Sequence, residues 1–167
     1  MKTAATVTLR PARSEDEAFL FEIYASTRQE DFASLPWDKQ QRDIFLRLQF
    51  SAQQKSYESR YPRSGHSIVM LDQRPVGRIW VEKGDEEFRI IDIAFLPEHR
   101  SLGIGTLLLQ QLLAEAGRAG KPLRLTVLKC NARAVMLYQR LGFSVLHDDG
   151  ICISMTSGEP SINLPAL

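Results

Sequence analysis

The sequence predicts an α/β domain in which a mixed central sheet is flanked by about four helices. Three observations predict it. At Tyr61-Pro62 the spacing of apolar residues changes from the helical period of the segment before it to the strand period of the three segments that follow. A leucine-rich run of helical period, within HRSLGIGTLLLQQLL at residues 99 to 113, separates the strand-like segments IIDIAFL and LRLTVL, which makes those two strands parallel. The chain closes on FSVLH and ICISMT, which form a hairpin around Asp148-Asp149-Gly150.

Each element has its own signal. TVTLRPA reads as the first strand, and Ser14 with Glu17 has the spacing of a capping box that opens a helix containing Leu20, Ile23 and Tyr24. A second helix starts near Asp38, with Ile44, Phe45, Leu48 and Ala52 expected on its apolar face. His66 to Leu71, Val76 to Glu82 and Phe88 to Leu96 read as an antiparallel meander with turns at DQRP and KGDEE. The third helix is stopped by Gly120 and Pro122, and its Leu107, Leu108 and Leu112 are expected in the core. After LRLTVL, Asn131 caps a fourth helix that ends at Gly142. No internal repeat or linker divides the chain, so residues 1–167 are expected to form one domain, with 157–167 as an extended C-terminal tail.

Composition narrows the function classes. Hydrophobic residues make up 44% and charged residues 25%, as in an ordinary globular protein, and a net charge of +1 gives no general attraction to nucleic acid or to an anionic membrane. The first residues lack an apolar leader core, and no segment approaches the length of a membrane span, so the expected location is cytoplasmic. Cys130 and Cys152 are too few for a disulfide scaffold, and His66, His99 and His147 show no joint metal spacing, so no metal is expected.

The start of the third helix carries chemistry. Two glycines at a helix start need a compensating reason, since each costs roughly 1 kcal/mol relative to alanine inside a helix. A strand running into a short loop and then into a helix N-terminus makes an anion site, because the first-turn N–H groups are unpaired and the helix dipole is positive there. Glycine lets a phosphate approach that backbone, and Arg100 adds a charged fork suited to pyrophosphate. A Walker loop is excluded because no G-x-x-x-x-G-K-[ST] string occurs, and a dinucleotide fingerprint because the third glycine is missing. Arg100-Ser101-Leu102-Gly103-Ile104-Gly105 instead satisfies R/Q-x-x-G-x-G/A. With LRPARSEDE, IIDIAFLPEHR and NARAVMLYQRLGF around it, the sequence resembles the GNAT superfamily of acyl-coenzyme A-dependent N-acetyltransferases over nearly the whole domain, most specifically from Ile91 to Phe143.

The resemblance implies a GNAT fold in which parallel strands four and five splay apart. It implies that the backbone of Ile93, Ala94 and Phe95 meets the pantetheine arm of acetyl-CoA, and that Arg100, Ser101, Leu102, Gly103, Ile104, Gly105 and Thr106 hold the pyrophosphate. Asn131 is placed near the cofactor and Tyr138, seven residues on, near its sulfur as the general acid, with the Phe95 N–H as oxyanion donor. Some relatives place a glutamate in strand five at the position held here by Thr126, so the base is sought elsewhere, with Asp92 ranked first and Glu82 or water behind it.

The expected reaction is transfer of acetyl to a primary amine in a ternary complex. The alternative is a non-catalytic acyl-CoA-binding sensor or interaction module on the same fold. Simpler readings stand beside each residue: Asn131 is a good N-cap with or without cofactor, Tyr138 fits a core position with Ala134 and Leu141, and Asp92 suits a structural tie. Cys130 as a nucleophile with His147 as base is less favoured than Cys130 as a small core residue, and His99 is expected to be a solvated loop residue. Tyr24, Trp37 and Phe50 are expected to pack, while Glu30 and Asp31 are candidates for attracting an amine. The identity of the amine is not readable, and a homodimer is left open.

Overall fold

Strand β1 (Val7–Pro11) pairs antiparallel with β2 (Gly65–Leu71), from Val7 opposite Leu71 to Pro11 opposite Ser67. In this computed structural model, residues 6–158 are described. They fall into two compact units: the first takes the residues up to Glu82 together with Ile91–Ile104, and the second takes Lys83–Ile90 and the residues from Gly105 onward. Among the described residues the strands follow the order β1, β2, β3 (Arg74–Lys83), β4 (Phe88–Phe95), β5 (Leu123–Leu128), β7 (Cys152–Ser157) and β6 (Ser144–Asp148).

In the first unit β2 turns into β3 (Arg74–Lys83) through Asp72 and Gln73, both at positive φ, the backbone of a tight two-residue hairpin. Asp72 Oδ1 accepts the Thr6 N–H at 2.8 Å and its own N–H donates to Thr6 O at 3.0 Å, which ties the turn to the start of β1. The β2–β3 register passes from Val69 opposite Gly77 to Met70 opposite Pro75, so Val76 is one residue extra and β3 bulges there.

Helices α1 (Glu17–Ser26) and α2 (Lys39–Arg60) bury Leu20, Phe21, Tyr24 and Phe50 in one cluster with Ile68 of β2. The approach to α1 is organised by Asp16, not by the expected Ser14–Glu17 box. The Asp16 carboxylate takes both Arg10 guanidinium nitrogens at 2.8 and 2.7 Å and the Arg13 N–H at 2.8 Å, a bidentate pair that a serine hydroxyl cannot match. Asp38 caps α2 as expected, in reciprocal bonds with Gln41. The expected apolar face of α2 is corrected: Leu48 is 65% and Ile44 54% exposed, whereas Phe50 is 6% exposed. The inward face carries Leu46, Phe50, Gln53 and Tyr57, one helical turn apart and partly polar.

Strand β4 (Phe88–Phe95) starts in the second unit and ends in the first. It runs parallel to β5 (Leu123–Leu128) from Phe88 opposite Leu123 to Ile90 opposite Leu125, where the ladder stops. β5 pairs along its whole length with β7 (Cys152–Ser157), and β7 pairs with β6 (Ser144–Asp148), whose residues are all exposed. The closing hairpin therefore forms as expected. Ser157 ends β7, and positions 159–167 of the expected tail lie outside the described residues.

α3 (Ile104–Arg118) buries Leu108, Leu109, Leu112 and Ala116. Leu107, expected in the core, is 41% exposed because it lies on the opposite side of the helix from Leu109 and Leu112. Gly120 at φ 67 ends the helix, with the Lys121 N–H closing back on Ala116 O at 3.0 Å. Asn131 caps α4 (Ala132–Arg140) by accepting the Ala134 N–H, and Gly142 at φ 92 follows it. Cys130 is exposed rather than in the core, since it sits in the turn between β5 and this cap.

Candidate functional site

The candidate residues lie in both units. In the first, β4 delivers Asp92, Ile93, Ala94 and Phe95 to a short 3-10 turn at Pro97–His99, followed by Arg100. The Leu96 N–H donates to Val76 O at 3.0 Å, which fixes the end of the strand to the bulge in β3. Arg100 Nε donates to Phe95 O at 2.9 Å and Arg100 Nη2 to Ser26 Oγ at 2.8 Å. The guanidinium expected to fork onto a pyrophosphate is thus also the bond that closes the loop onto β4 and α1.

Ser101 at φ 64 and Gly103 at φ 80 bend the loop before α3 begins at Ile104. A left-handed backbone is natural for glycine and strained for a branched residue, which explains the position held by Gly103. A Cβ built there meets nothing within 4 Å, so the absent side chain leaves open space beside the backbone just before α3. A phosphate can come that close only where this space is kept free.

The Asp92 carboxylate pairs with the guanidinium of Arg78, whose side chain is only 3% exposed. Arg78 Nη2 also donates to Gln53 Oε1 at 2.8 Å, so α2, β3 and β4 meet on one buried cation. Burial, with a smaller contribution from Asp92, raises the Tyr57 pKa to about 12. Burial, helped by Arg78, lowers His66 to about 4, and its ring stacks on Trp80 with centroids 4.1 Å apart. Glu82 is half-buried near the end of β3. His99 is half-buried beside Glu98 rather than free in solvent. Tyr24 and Phe50 pack as expected, and Trp37 stacks on Phe32 and meets Phe45 edge-on. Glu30 and Asp31 are exposed, with Asp31 facing Arg28 at 3.5 Å.

In the second unit, Gly105 and Thr106 lie in the first turn of α3, Asn131 is the cap of α4, and Tyr138 is buried on α4 with its ring edge-on to Phe143, centroids 5.7 Å apart. Thr126 is exposed and its hydroxyl lies 3.4 Å from Ser154 Oγ. Among the described residues, no group of three or more His, Cys, Asp or Glu is arranged to hold a metal ion, and no helix is long and apolar enough to cross a membrane.

Three residues at this end of the first unit were not singled out by the sequence: Ser26, Gly77 and Arg78. Two carried a signal, since a glycine and an arginine inside the apolar strand VGRIWV break its pattern. Ser26 carried none.

The comparisons agree with this geometry. The family model described as acetyltransferase (GNAT) family matches residues 19–143. No curated protein sequence matches the chain. Among solved structures, the fold is similar to the PaiA N-acetyltransferase of Thermoplasma acidophilum in complex with coenzyme A, with a TM-score of 0.68, 18% identity, and coverage of 91% of this chain and 98% of that one. It is also similar to an acetyltransferase from Thermus thermophilus, with a TM-score of 0.64, 21% identity, and coverage of 90% and 95%. A third similar structure is the N-acetyltransferase PseH of Campylobacter jejuni, with a TM-score of 0.57, 17% identity, and coverage of 92% and 99%. A strand that leaves its parallel partner after three residue pairs, a glycine loop opening the next helix and a family match across three quarters of the sequence lead to one conclusion: the chain belongs to the GNAT acetyltransferase family.

Proposed function

We propose that this protein transfers an acetyl group from acetyl-coenzyme A to a primary amine by direct attack in a ternary complex. The observation that carries the reading is the loop from Arg100 to Thr106, where Gly103 at φ 80 leaves open space beside the backbone that leads into α3. Acetyl-coenzyme A supplies a thioester whose thiol leaves readily once protonated.

The remaining roles belong to the chain. Backbone N–H groups from Ser101 to Thr106 receive the pyrophosphate, with Asn131 near the cofactor, and the backbone of Ile93, Ala94 and Phe95 receives the pantetheine arm. The Phe95 N–H is the donor for charge developing on the acyl oxygen. Tyr138 Oη gives a proton to the departing sulfur. An alkylamine is mostly protonated at neutral pH, so a proton must leave it before attack. Asp92 is the first choice to receive that proton, directly or through water. The Arg78 guanidinium competes with the amine for this carboxylate, which favours the route through water with Glu82 as second choice.

Gly103→Val tests the cradle. It places a branched side chain in the open space and strains the positive-φ backbone, and calorimetry should show coenzyme A affinity falling at least about tenfold in folded protein. Unchanged affinity would remove the pyrophosphate from this loop. The second reading, a sensor that binds acyl-CoA without turnover, is favoured by Thr126 in place of an acid and by the Arg78–Asp92 pair. Release of free coenzyme A in the presence of a panel of amines separates the two.

A further inference from the structure

Two peptide planes meet at Phe95; in the first unit two of their four polar groups are hydrogen-bonded, and a third is placed by its approach to Gly77. The plane between Phe95 and Leu96 is held at both ends: its N–H donates to Val76 O at 3.0 Å, and its carbonyl accepts from Arg100 Nε at 2.9 Å. The plane between Ala94 and Phe95 presents its carbonyl to Gly77. A Cβ at Gly77 would stand 2.6 Å from Ala94 O and 2.5 Å from the Phe95 ring. A separation below 3.0 Å cannot be kept, and a backbone oxygen inside a strand cannot swing aside as a side chain does. In a trans peptide the N–H points opposite to the carbonyl. With Ala94 O turned toward β3, the fourth group, the Phe95 N–H, therefore points away from it.

We infer that Gly77 and Ser26 are positioning residues for the Phe95 N–H. Gly77 allows the Ala94–Phe95 plane to lie flat against β3, and Ser26 holds the Arg100 guanidinium on the Phe95 carbonyl. Ser26 Oγ accepts from Arg100 Nη2 at 2.8 Å and itself donates to Ile23 O at 2.6 Å, so the last turn of α1 fixes the arginine in place. Both residues lie outside the Arg100–Gly105 motif, one in β3 and one in α1.

The inference rests on the reading that the Phe95 N–H serves the acyl oxygen. An oxyanion donor is effective only within about 2.7 to 3.1 Å of its target, and a misplacement of about 1 Å can cost about 10²-fold in rate. The glycine also explains itself physically: inside a strand it sacrifices packing and chain entropy, and a close backbone approach is the usual compensation.

The test uses the full chain and three readouts: the backbone amide resonance of Phe95, calorimetric affinities for coenzyme A and acetyl-coenzyme A, and kcat. In the wild type, acetyl-coenzyme A should shift the Phe95 amide further than coenzyme A does. Gly77→Ala should move that amide in the ligand-free protein and abolish the acetyl-dependent shift. It should lower kcat at least about tenfold and leave coenzyme A affinity within about twofold. Ser26→Ala, at a half-buried position, keeps the test open if Gly77→Ala does not fold: it should weaken the acetyl-dependent shift and lower kcat less than Gly77→Ala, and Ser26→Thr, which keeps the hydroxyl, should bring both back toward wild type. If the wild type shows the acetyl-dependent shift and folded variants at both positions keep it unchanged, the positioning roles are overturned while the reading of Phe95 stands. If the wild type shows no such shift, the reading of Phe95 fails and the inference falls with it.

Discussion

The Arg78–Asp92 pair governs how the Asp92 carboxylate can be used. Removing one partner of a buried ion pair leaves an uncompensated charge, which typically costs about 3 to 5 kcal/mol. Asp92→Asn is therefore expected to destabilise the protein as well as to slow it, and lost activity alone would not identify a base. Tyr138 is a cleaner probe. Tyr138→Phe keeps the ring against Phe143 and removes only the hydroxyl, so turnover should fall by a large part of the roughly 10² to 10⁴ that general acid catalysis supplies, with coenzyme A affinity unchanged. Steady-state kinetics with a confirmed acceptor, beside calorimetry on the same protein, checks this. Wild-type turnover where chemistry is rate-limiting would make Tyr138 a packing residue. The glycine loop was legible in the sequence because its residue types are required in consecutive order. The partner of Asp92 was not, because Arg78 lies on another strand and only the β3–β4 alignment brings the two together.

At the scale of the element, the sequence was most legible where local chemistry decides. Asp38 and Asn131 start α2 and α4, and Gly120 and Gly142 follow the helices they stop, because capping groups act within one turn. The face of α2 was not legible. Ile44 and Leu48 formed the more apolar stripe, yet the helix turns Phe50, Gln53 and Tyr57 inward. The reason is that its polar residues have buried partners: Gln53 accepts from Arg78 at 2.8 Å, and Gln49 accepts from the Tyr24 hydroxyl at 3.4 Å. Apolar periodicity counts such residues as solvent-facing because their partners are far away in sequence. Phe50→Ala should cost about 3 to 5 kcal/mol, whereas Leu48→Gln should stay within about 0.5 kcal/mol. Urea unfolding of both variants distinguishes the two faces, and equal losses would restore the expected orientation.

For the whole molecule, a net charge of +1 places little global electrostatic strain on the fold at neutral pH, and individual groups add their own steps to stability as the pH falls. Two groups in the first unit act in separate ranges. His66 is held neutral by burial and by Arg78, with its pKa lowered from 6.5 to about 4. Between those values the unfolded chain binds a proton that the folded chain refuses. The stability His66 contributes is thus fully present above about pH 6.5 and is lost as pH falls toward 4, on the order of 3 kcal/mol. Asp16 acts lower. The bidentate Arg10 bond, aided by the Arg13 N–H, lowers its pKa from 3.8 to about 2, so its contribution of about 2 kcal/mol is intact above 3.8 and disappears as pH falls toward 2. Unfolding free energy measured by urea titration should therefore decline in two stages, the first centred between pH 6.5 and 4 and the second below 3.8. His66→Gln should flatten the first stage while leaving the second, and Asp16→Asn should do the reverse, with Asp16→Asn also lowering stability at pH 7 because Arg10 loses its partner. A single stage unaffected by His66→Gln would mean that the imidazole takes up its proton in the folded chain as readily as in the unfolded one, and that its stack on Trp80 does not exclude the charged form.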